Sequence, residues 1–194
     1  VHFWDAETGE LKTPHRELSG RVLRVAVSRD GKVAAAGADG LLRIWSSMDA
    51  SQALTLRADP QFVNGVAFTP DGLALATAGE RGRVSLWNSS GGIESLTLPT
   101  SGTMEKVAFH PREAFVAAAG ARGEVRVWDL EHPEQPILIE GHKDTVLGLA
   151  FAPDGKRLAI ADAKGIARIV DFRRPELPAI TLGEHRGRIN AIAY

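Results

Sequence analysis

Four tryptophans recur at a nearly constant interval along this 194-residue chain. The gaps between them are 41, 42 and 41 residues, for Trp4, Trp45, Trp87 and Trp128. A glycine series keeps the same spacing, at Gly40, Gly82, Gly123 and Gly165. Two independent landmarks with one period predict a repeat architecture, in which each unit buries its apolar surface only by stacking on its neighbours.

The second unit illustrates the structure that we predict for every repeat. Four short runs rich in Val, Leu, Ile and aromatic residues predict strands at 62–68, 73–79, 83–88 and 93–98. Pro70-Asp71-Gly72 and Gly82 mark turns between them, because glycine accepts the positive φ that tight antiparallel turns require. No run shows sustained apolar spacing at the helical period, so we predict one four-stranded antiparallel sheet per unit and essentially no helix.

Small residues occupy both faces of one strand in several units. These runs are VAAAG (33–37), LALATAG (73–79) and FVAAAG (115–120). A strand with one wet face would alternate apolar and polar residues, whereas small residues on both faces suit a sheet packed between two others. The predicted fold class is therefore all-β, a propeller built from four-stranded antiparallel blades.

Units such as VLGLAFAPDGKRLAIADAKGIARIVD (146–171), led by Gly141-His142, resemble the WD-repeat β-propeller family. Trp4-Asp5 and Trp128-Asp129 match the family's terminal dipeptide, and the variant Glu184-His185 matches its opening signature. The resemblance covers nearly the whole chain. It implies strands a to d from the axis outward, and structural roles for His142, His185 and the four tryptophans.

The resemblance also implies a buried hydrogen-bonded set of a His, a Ser or Thr, an Asp and the Trp in each blade. The first unit keeps Asp39 and Trp45 but has Leu18 at the His position. The second and third units carry Arg81 and Arg122 at the Asp position, and the fourth has Lys164 there and Val170 for the Trp. We predict that no blade completes the set, and that apolar packing and strand ladders stabilise the blades instead.

The phase of the repeats sets the expected domain organisation. We predict a single incomplete propeller over 1–194, with repeats at about 6–45, 46–87, 88–129 and 130–171 and partial repeats at 1–5 and 172–194. Joining the partial repeats would give a fifth blade without strand b, which would leave backbone groups unpaired. We therefore expect about four and a half blades here, and the remaining blades of a parent propeller as a partner, seven blades in all by resemblance.

Composition excludes several kinds of chemistry. Lys plus Arg is 23 and Asp plus Glu is 24, so a generic polyanion-binding surface is not expected. Cysteine is absent, which excludes a disulfide scaffold, a thiolate zinc site and a thiol nucleophile. We find no metal-type histidine pair, P-loop or nucleophile elbow, and we expect no catalysis, cofactor or metal. Without a signal-type segment or a run of roughly 20 apolar residues we expect a cytoplasmic protein with no membrane partner.

Cations recur at the turns between strands b and c. Three of the four turns carry Arg81, Arg122 and Lys164 where the family usually has an acid. Loops that enter strand a on the same side, and strand a itself, extend the set. The resulting basic rim comprises Arg21, Arg24, Arg81, Lys106, Arg122, Lys143, Lys164 and Arg186. Because equivalent repeat positions form a ring, we predict that these charges share one face and bind a protein or peptide of acidic character.

Alternatives remain at this stage. Turn tips are solvated and tolerate any charge, and Asp39, Glu80, Asp144 and Glu184 dilute the patch. Nucleic acid is an unlikely partner because Phe62 is the main aromatic residue available for stacking in these loops. The leading functional prediction is a non-catalytic interaction scaffold. The alternatives are a sensor or regulatory module of a larger protein, such as a bacterial signalling or defence protein, and an enzyme that uses the channel mouth.

Overall fold

The computed structural model describes residues 1–2, 4–11, 20–46 and 53–194, and the fold of this part of the chain is all-β. Sixteen strands form four sheets, each of four antiparallel strands in chain order. We call these sheets blades 1 to 4. Blade 1 consists of β1 (Val22–Val27), β2 (Val33–Gly37), β3 (Leu41–Trp45) and β4 (Ala53–Arg57). Blade 2 consists of β5 (Val63–Phe68), β6 (Ala74–Gly79), β7 (Arg83–Asn88) and β8 (Glu94–Pro99).

The remaining two blades repeat this plan. Blade 3 consists of β9 (Met104–Phe109), β10 (Phe115–Gly120), β11 (Val125–Asp129) and β12 (Ile137–Leu138). Blade 4 consists of β13 (Val146–Phe151), β14 (Leu158–Asp162), β15 (Ile166–Val170) and β16 (Ile180–Glu184). Within the described residues the sole helical element is a 3₁₀ turn, Ala121–Gly123, and no helix there is long and apolar enough to cross a membrane. These features confirm the predicted fold class.

The cores lie between the blades rather than inside them. One buried cluster joins Ala34, Ala36 and Leu42 of blade 1 to Val63 and Leu75 of blade 2, and similar clusters join blade 2 to blade 3 and blade 3 to blade 4. Both faces of the second strand are buried in each blade, as the runs of small residues predicted. The sheets therefore stack face to face, and each depends on its neighbour for its apolar contacts.

The first strand of each blade faces the first strand of the next. Contacts run from β1 to β5, from β5 to β9 and from β9 to β13. In each of these strands the pairing register shifts beside one repeat position, occupied in turn by Arg24, Gly65, Lys106 and Gly148. The strands a predicted from sequence are thus the inner strands, and they place this position toward a shared space.

A buried histidine joins blades 3 and 4 on the side of the a–b turns. His110 is 1% exposed, and its Nε2 lies 2.8 Å from the carbonyl oxygen of Gly155 in the next blade. Its Nδ1 accepts hydrogen bonds from the backbone N–H groups of Arg112 and Glu113, which makes Nε2 the donor to Gly155. Three phenylalanine rings surround the imidazole edge to face. The ring is therefore a structural bridge, fully used by its neighbours.

Candidate functional site

The four b–c turns, at 38–40, 80–82, 121–123 and 163–165, form one side of the blades. Their last residue is a glycine with φ between 70° and 87° in every case. A Cβ on Gly123 would overlap the carbonyl oxygen of His142, which lies in the loop that enters blade 4. The same relation holds between Gly40 and Asp59 and between Gly165 and His185. The glycine period thus reflects turns that pack directly on the loop entering the next blade.

Every blade places a carboxylate close to its b–c turn. Asp39 accepts the N–H of Leu41 at 3.1 Å, and Glu124 accepts the N–H of Ser101 at 3.0 Å. Asp59 is buried and accepts the N–H of Gln61 at 2.8 Å. These oxygens satisfy backbone donors that the turns and entry loops would otherwise leave unpaired.

The carboxylates come from different sequence positions in different blades. Asp39 belongs to the turn itself, whereas Asp59 belongs to the loop that enters its blade. Glu124 follows the turn, and Asp162 is the last residue of β14, where the other blades carry glycine. A comparison at one fixed repeat position therefore finds an acid only in the first unit, although all four blades contain one.

Blade 4 contains a buried pair that the sequence analysis missed. Nδ1 of His142 lies 2.8 Å from Oδ2 of Asp162, and both side chains are 1% exposed. Oδ1 of Asp162 accepts the N–H groups of Lys164 and Ile166, each at 3.0 Å. Burial on its own would raise the pKa of the Asp162 carboxyl, but the hydrogen bonds from His142 and from these two amides hold that pKa below its usual value.

The expectation that His142 lacks its acidic partner was therefore wrong. Lys164 does occupy the position where the family usually has the acid, but the carboxylate reaches the ring from two residues earlier. The other ring nitrogen of His142, Nε2, is buried without a hydrogen-bond partner among the described residues. Ile160 stands where blade 2 has Thr77, which explains why the hydrogen-bonded chain stops at the histidine.

Blade 2 carries the other half of the same set. Nε1 of Trp87 donates to Oγ1 of Thr77 at 2.9 Å, and both groups are buried. Asp59 lies at the position of His142, so an acid replaces the histidine in this blade. The set is thus divided between two blades, and neither blade has all four members.

Two residues assigned structural roles from the sequence are exposed. Trp4 is 61% exposed and stacks on His2, while Trp45, Trp87 and Trp128 are 4%, 6% and 1% exposed. His185 is also exposed, although its carbonyl oxygen contacts Gly165 as that of His142 contacts Gly123. The buried structural role predicted for these two side chains therefore differs from what the structure shows. Leu18 lies outside the described residues.

The turn cations of the basic rim are solvent-exposed. Arg81, Arg122 and Lys164 occupy equivalent positions in blades 2, 3 and 4. Arg122 and Lys143 line one cavity, and Arg21 and Arg24 line a second with Phe62 and Glu105. Arg186 is exposed, and no cavity described for the structure joins it to the other rim residues. The rim is therefore several basic places along one side of the blades, rather than one pocket.

Lys106 lies away from these two cavities, and Arg24 borders both the cavity beside Phe62 and a further space. Together with Arg188 and Asn190 they line a cavity of about 560 Å³ between the inner strands, whose wall also includes β13. Arg24 and Lys106 are equivalent residues of the repeat, but the repeat pattern did not show that they converge with Arg188. We call this space the central cavity.

Arg122 has an unusual backbone conformation, with φ 59° and ψ 20°. We expect Arg122→Gly to raise the free energy of unfolding by about 0.5 kcal/mol, because relief of left-handed strain outweighs the extra freedom of glycine in the unfolded chain. The matched control is Arg81→Gly, which should lower it by about 0.5–1 kcal/mol because Arg81 has no positive φ to relieve. Urea unfolding would measure both; equal signs would contradict the strain argument.

The described acidic residues and histidines include one group spaced closely enough for a metal ion. It comprises Asp129, the last residue of β11, with Glu131 and His132 of the connection that follows. Glu131 and His132 are exposed, and Nδ1 of His132 lies 3.7 Å from Oδ2 of Asp129. A turn that Asp129 caps at the N–H of Glu131 brings these side chains together and accounts for the spacing.

Four stacked, four-stranded antiparallel sheets with paired turns and entry loops define a protein of β-propeller blades. The sequence pattern of the WD40 family (WD domain, G-beta repeat) matches residues 10–46, 51–88, 93–129 and 134–171. The chain therefore belongs to the WD40 repeat family. Proteins of this family are typically interaction scaffolds and generally non-catalytic.

Named relatives share only part of their length with this chain. It is 33% identical to apoptotic protease-activating factor 1 of Rattus norvegicus over 93 residues, which are 47% of this chain and 7% of that protein. It is 30% identical to target of rapamycin complex subunit wat1 of Schizosaccharomyces pombe over 90 residues, 45% of this chain and 29% of that one. A third match, to DDB1- and CUL4-associated factor 13 of Dictyostelium discoideum, is 33% identical over 55 residues, 28% of this chain and 12% of that protein.

Proposed function

We propose that this chain is a non-catalytic interaction scaffold that binds an acidic segment of a protein partner along the basic rim. The observation that carries this proposal is the exposed cation at the b–c turn of three successive blades: Arg81, Arg122 and Lys164. Repetition spaces these charges along one side of a rigid stack of sheets. An extended partner could contact them in succession, without any rearrangement of the scaffold.

The carboxylates close to the turns do little to neutralise these cations. Asp162 is engaged by His142 and two backbone amides, and Asp39 forms an ion pair with Arg43 at 2.9 Å. Lys164 is the exception, since its Nζ lies 3.9 Å from Oδ2 of Asp144. That pair is solvent-exposed and contributes little, so an acidic ligand can compete for the lysine.

Arginine at two of the three turns suits this role. Its planar guanidinium can donate two parallel hydrogen bonds to one carboxylate, which adds orientation to charge attraction. Phe62 is 43% exposed beside Arg21 and Arg24 and would offer an apolar contact at the end of the rim. Shape and charge suffice for binding of this kind, and no reacting group is needed.

The experiment reverses the three turn cations together. We expect the Arg81→Glu, Arg122→Glu, Lys164→Glu variant to bind an immobilised Glu-rich peptide at least about tenfold more weakly, since each exposed pair contributes up to about 1 kcal/mol. Binding would be measured by surface plasmon resonance at low and physiological salt, because surface attraction is screened as salt rises.

The matched control reverses three exposed cations of the a–b turns: Arg29, Arg112 and Lys156. This triple variant has the same net charge as the first, and it should bind the peptide as the unmodified protein does. Equal weakening of peptide binding by both triple variants would show that only net charge matters, and would overturn the proposal. The proposal would also be wrong if the rim variant bound the peptide as tightly as the unmodified protein does.

A second role is compatible with the relatives. The matched region is 7% of the rat apoptotic protease-activating factor and 29% of the yeast complex subunit, so in both relatives it lies within a longer chain. We propose as the alternative that this chain is a regulatory module of a larger protein. The same rim would then bind an acidic segment of that protein, and the rim variant would change regulation rather than capture a separate partner.

A further inference from the structure

One position of the repeat faces the central cavity from several directions. Arg24, Lys106, Gly148 and Asn190 all line it, and they are spaced by two repeats or by one. Gly65 occupies the same position in blade 2. Stacked repeats bring equivalent positions around a common axis, so this position determines the chemistry of the cavity.

Glycine alternates with the two cations at this position. A Cβ on Gly148 would lie 3.0 Å from Cγ2 of Ile192, and one on Gly65 would lie 3.2 Å from the carbonyl oxygen of Glu105. The glycines therefore allow neighbouring segments to approach closely. Among the four blades, charged side chains enter the cavity at this position only from blades 1 and 3. Leu147 and Leu149 of β13 also line the cavity, and its volume of about 560 Å³ is within the range of small-molecule sites.

All the charged residues that line the cavity are basic. No carboxylate lines it among the described residues, and Arg24, Lys106 and Arg188 form no ion pair within that part of the chain. Arg24 donates to the carbonyl oxygen of Leu23, and Nε of Arg188 donates to Oδ1 of Asn190. Nζ of Lys106 has no hydrogen-bond partner among the described residues, so three positive charges line the cavity without an ion-paired carboxylate in that part of the chain.

Mutual repulsion is evident at Lys106. Burial, together with the charges of Arg24 on β1 and Arg188 on the C-terminal segment, lowers the pKa of the Lys106 ammonium to about 8, and Glu105 on the same strand opposes this in part. A cluster of like charges in which one pKa is perturbed is typical of a site that binds a ligand of opposite charge.

We propose that the central cavity binds a free polyanion that carries phosphate groups, held by Arg24, Lys106 and Arg188. Guanidinium groups bind phosphate oxygens through paired hydrogen bonds, and a lysine adds a compact charge. Leu147, Gly148 and Leu149 of β13 form one wall of this space. Arg24 also borders the cavity beside Phe62, but none of the three residues lies in a b–c turn, so this site can exist whether or not the turn cations bind an acidic partner.

The test uses pyrophosphate as the probe and titration calorimetry as the measurement. We expect saturable 1:1 binding to the full chain, and at least a tenfold loss of affinity in Lys106→Met and in Arg188→Met. The matched control is Lys156→Met, an exposed lysine in the a–b turn of blade 4, which should leave the affinity unchanged. Absence of saturable binding, or equal losses in Lys106→Met and Lys156→Met, would overturn the proposal.

A second measurement separates the cavity from a general attraction to anions. Sulfate keeps its double charge between pH 7 and pH 9, whereas Lys106 loses its proton in this interval. Sulfate affinity should therefore fall as pH rises, by up to about tenfold, and Lys106→Arg should abolish this fall because arginine stays charged. Equal pH dependence in the two proteins would contradict a role for Lys106.

The source of the phosphate group is tested in the same assay. If the cavity takes a free anion, both peptides should bind the turn cations and pyrophosphate should bind the cavity. Pyrophosphate should then displace neither the Glu-rich peptide nor a phosphoserine peptide. Competition with the phosphoserine peptide that is lost in Lys106→Met would instead place a modified protein segment in the cavity, and would overturn the free-anion proposal.

Discussion

Replacing Gly123 with alanine should lower the free energy of unfolding by about 3–4 kcal/mol, a large part of the stability of a typical domain. Gly123 has φ 77°, and a Cβ there would overlap the carbonyl oxygen of His142. Left-handed strain alone costs about 1–2 kcal/mol. The rest arises because the clash is with backbone, which can move away only by separating the turn of blade 3 from the entry loop of blade 4.

Two other glycines distinguish the effect of backbone strain from the effect of the clash between the turn and the loop. Gly183 has φ 110° but open space around its Cβ direction, so Gly183→Ala should cost only about 1 kcal/mol. Gly102 has open space and no positive φ, and Gly102→Ala should change stability by less than about 0.5 kcal/mol. Urea unfolding followed by tryptophan fluorescence would rank the three. If Gly123→Ala cost no more than Gly183→Ala, the turn-to-loop contact would not matter for stability.

Removing the carboxylate of Asp162 should have the second large effect. We expect Asp162→Ala to lower the free energy of unfolding by about 3 kcal/mol, because it leaves the His142 ring and the amides of Lys164 and Ile166 buried without their acceptor. Asp162→Asn should lower the free energy of unfolding by less than Asp162→Ala does. Its amide oxygen still accepts hydrogen bonds in place of one of the two carboxylate oxygens, whereas alanine has no acceptor.

A double-mutant cycle tests whether His142 and Asp162 act as a pair. His142→Phe combined with Asp162→Ala should destabilise the protein by less than the sum of the single variants, because the double variant leaves no unpaired polar ring. Additive effects would show that the two side chains do not act together. Circular dichroism during thermal unfolding would supply the values.

The same pair predicts a dependence on pH. The pKa of Asp162 is lowered on folding, so its contribution is present above its unfolded value and is lost as pH falls through the folded value. The stability difference between the unmodified protein and Asp162→Asn should therefore shrink as pH falls below about 4. A difference that stayed constant from pH 7 to pH 3 would contradict the pairing of an ionised carboxylate with His142.

Repeat spacing predicted the blades because it reports two strong local requirements. The glycines mark backbone conformations and close contacts that no other residue satisfies, and Trp45, Trp87 and Trp128 mark buried third strands. The acids near the turns escaped the same reasoning because several chain positions can deliver a carboxylate to one place. Asp162 at the end of a strand and Asp59 in a loop satisfy similar donors, yet no fixed spacing relates them.

The candidate site shows a similar division. Exposure of Arg81, Arg122 and Lys164 followed from their turn positions, and the structure places them at equivalent points. Convergence of Arg24, Lys106 and Arg188 did not follow, since it depends on how closely the inner strands approach and on the course of the C-terminal segment. Exposure of Trp4 and His185 likewise depends on the local neighbours that each side chain has, which a motif does not specify.

The entry-loop residue has a consequence for how the chain folds. His142 presents its carbonyl to the turn of blade 3 and its ring to the end of β14 in blade 4, and Asp59 does the same between blades 1 and 2. At these positions the turn and the loop that follows it pack directly on each other. The cooperative unit of assembly is therefore offset from the sequence repeat, and it joins the end of one blade to the beginning of the next. Cutting the chain within a c–d connection, where the sequence repeats meet, would separate a turn from the loop that it contacts. Cutting within an a–b turn would keep each turn and its loop on one piece.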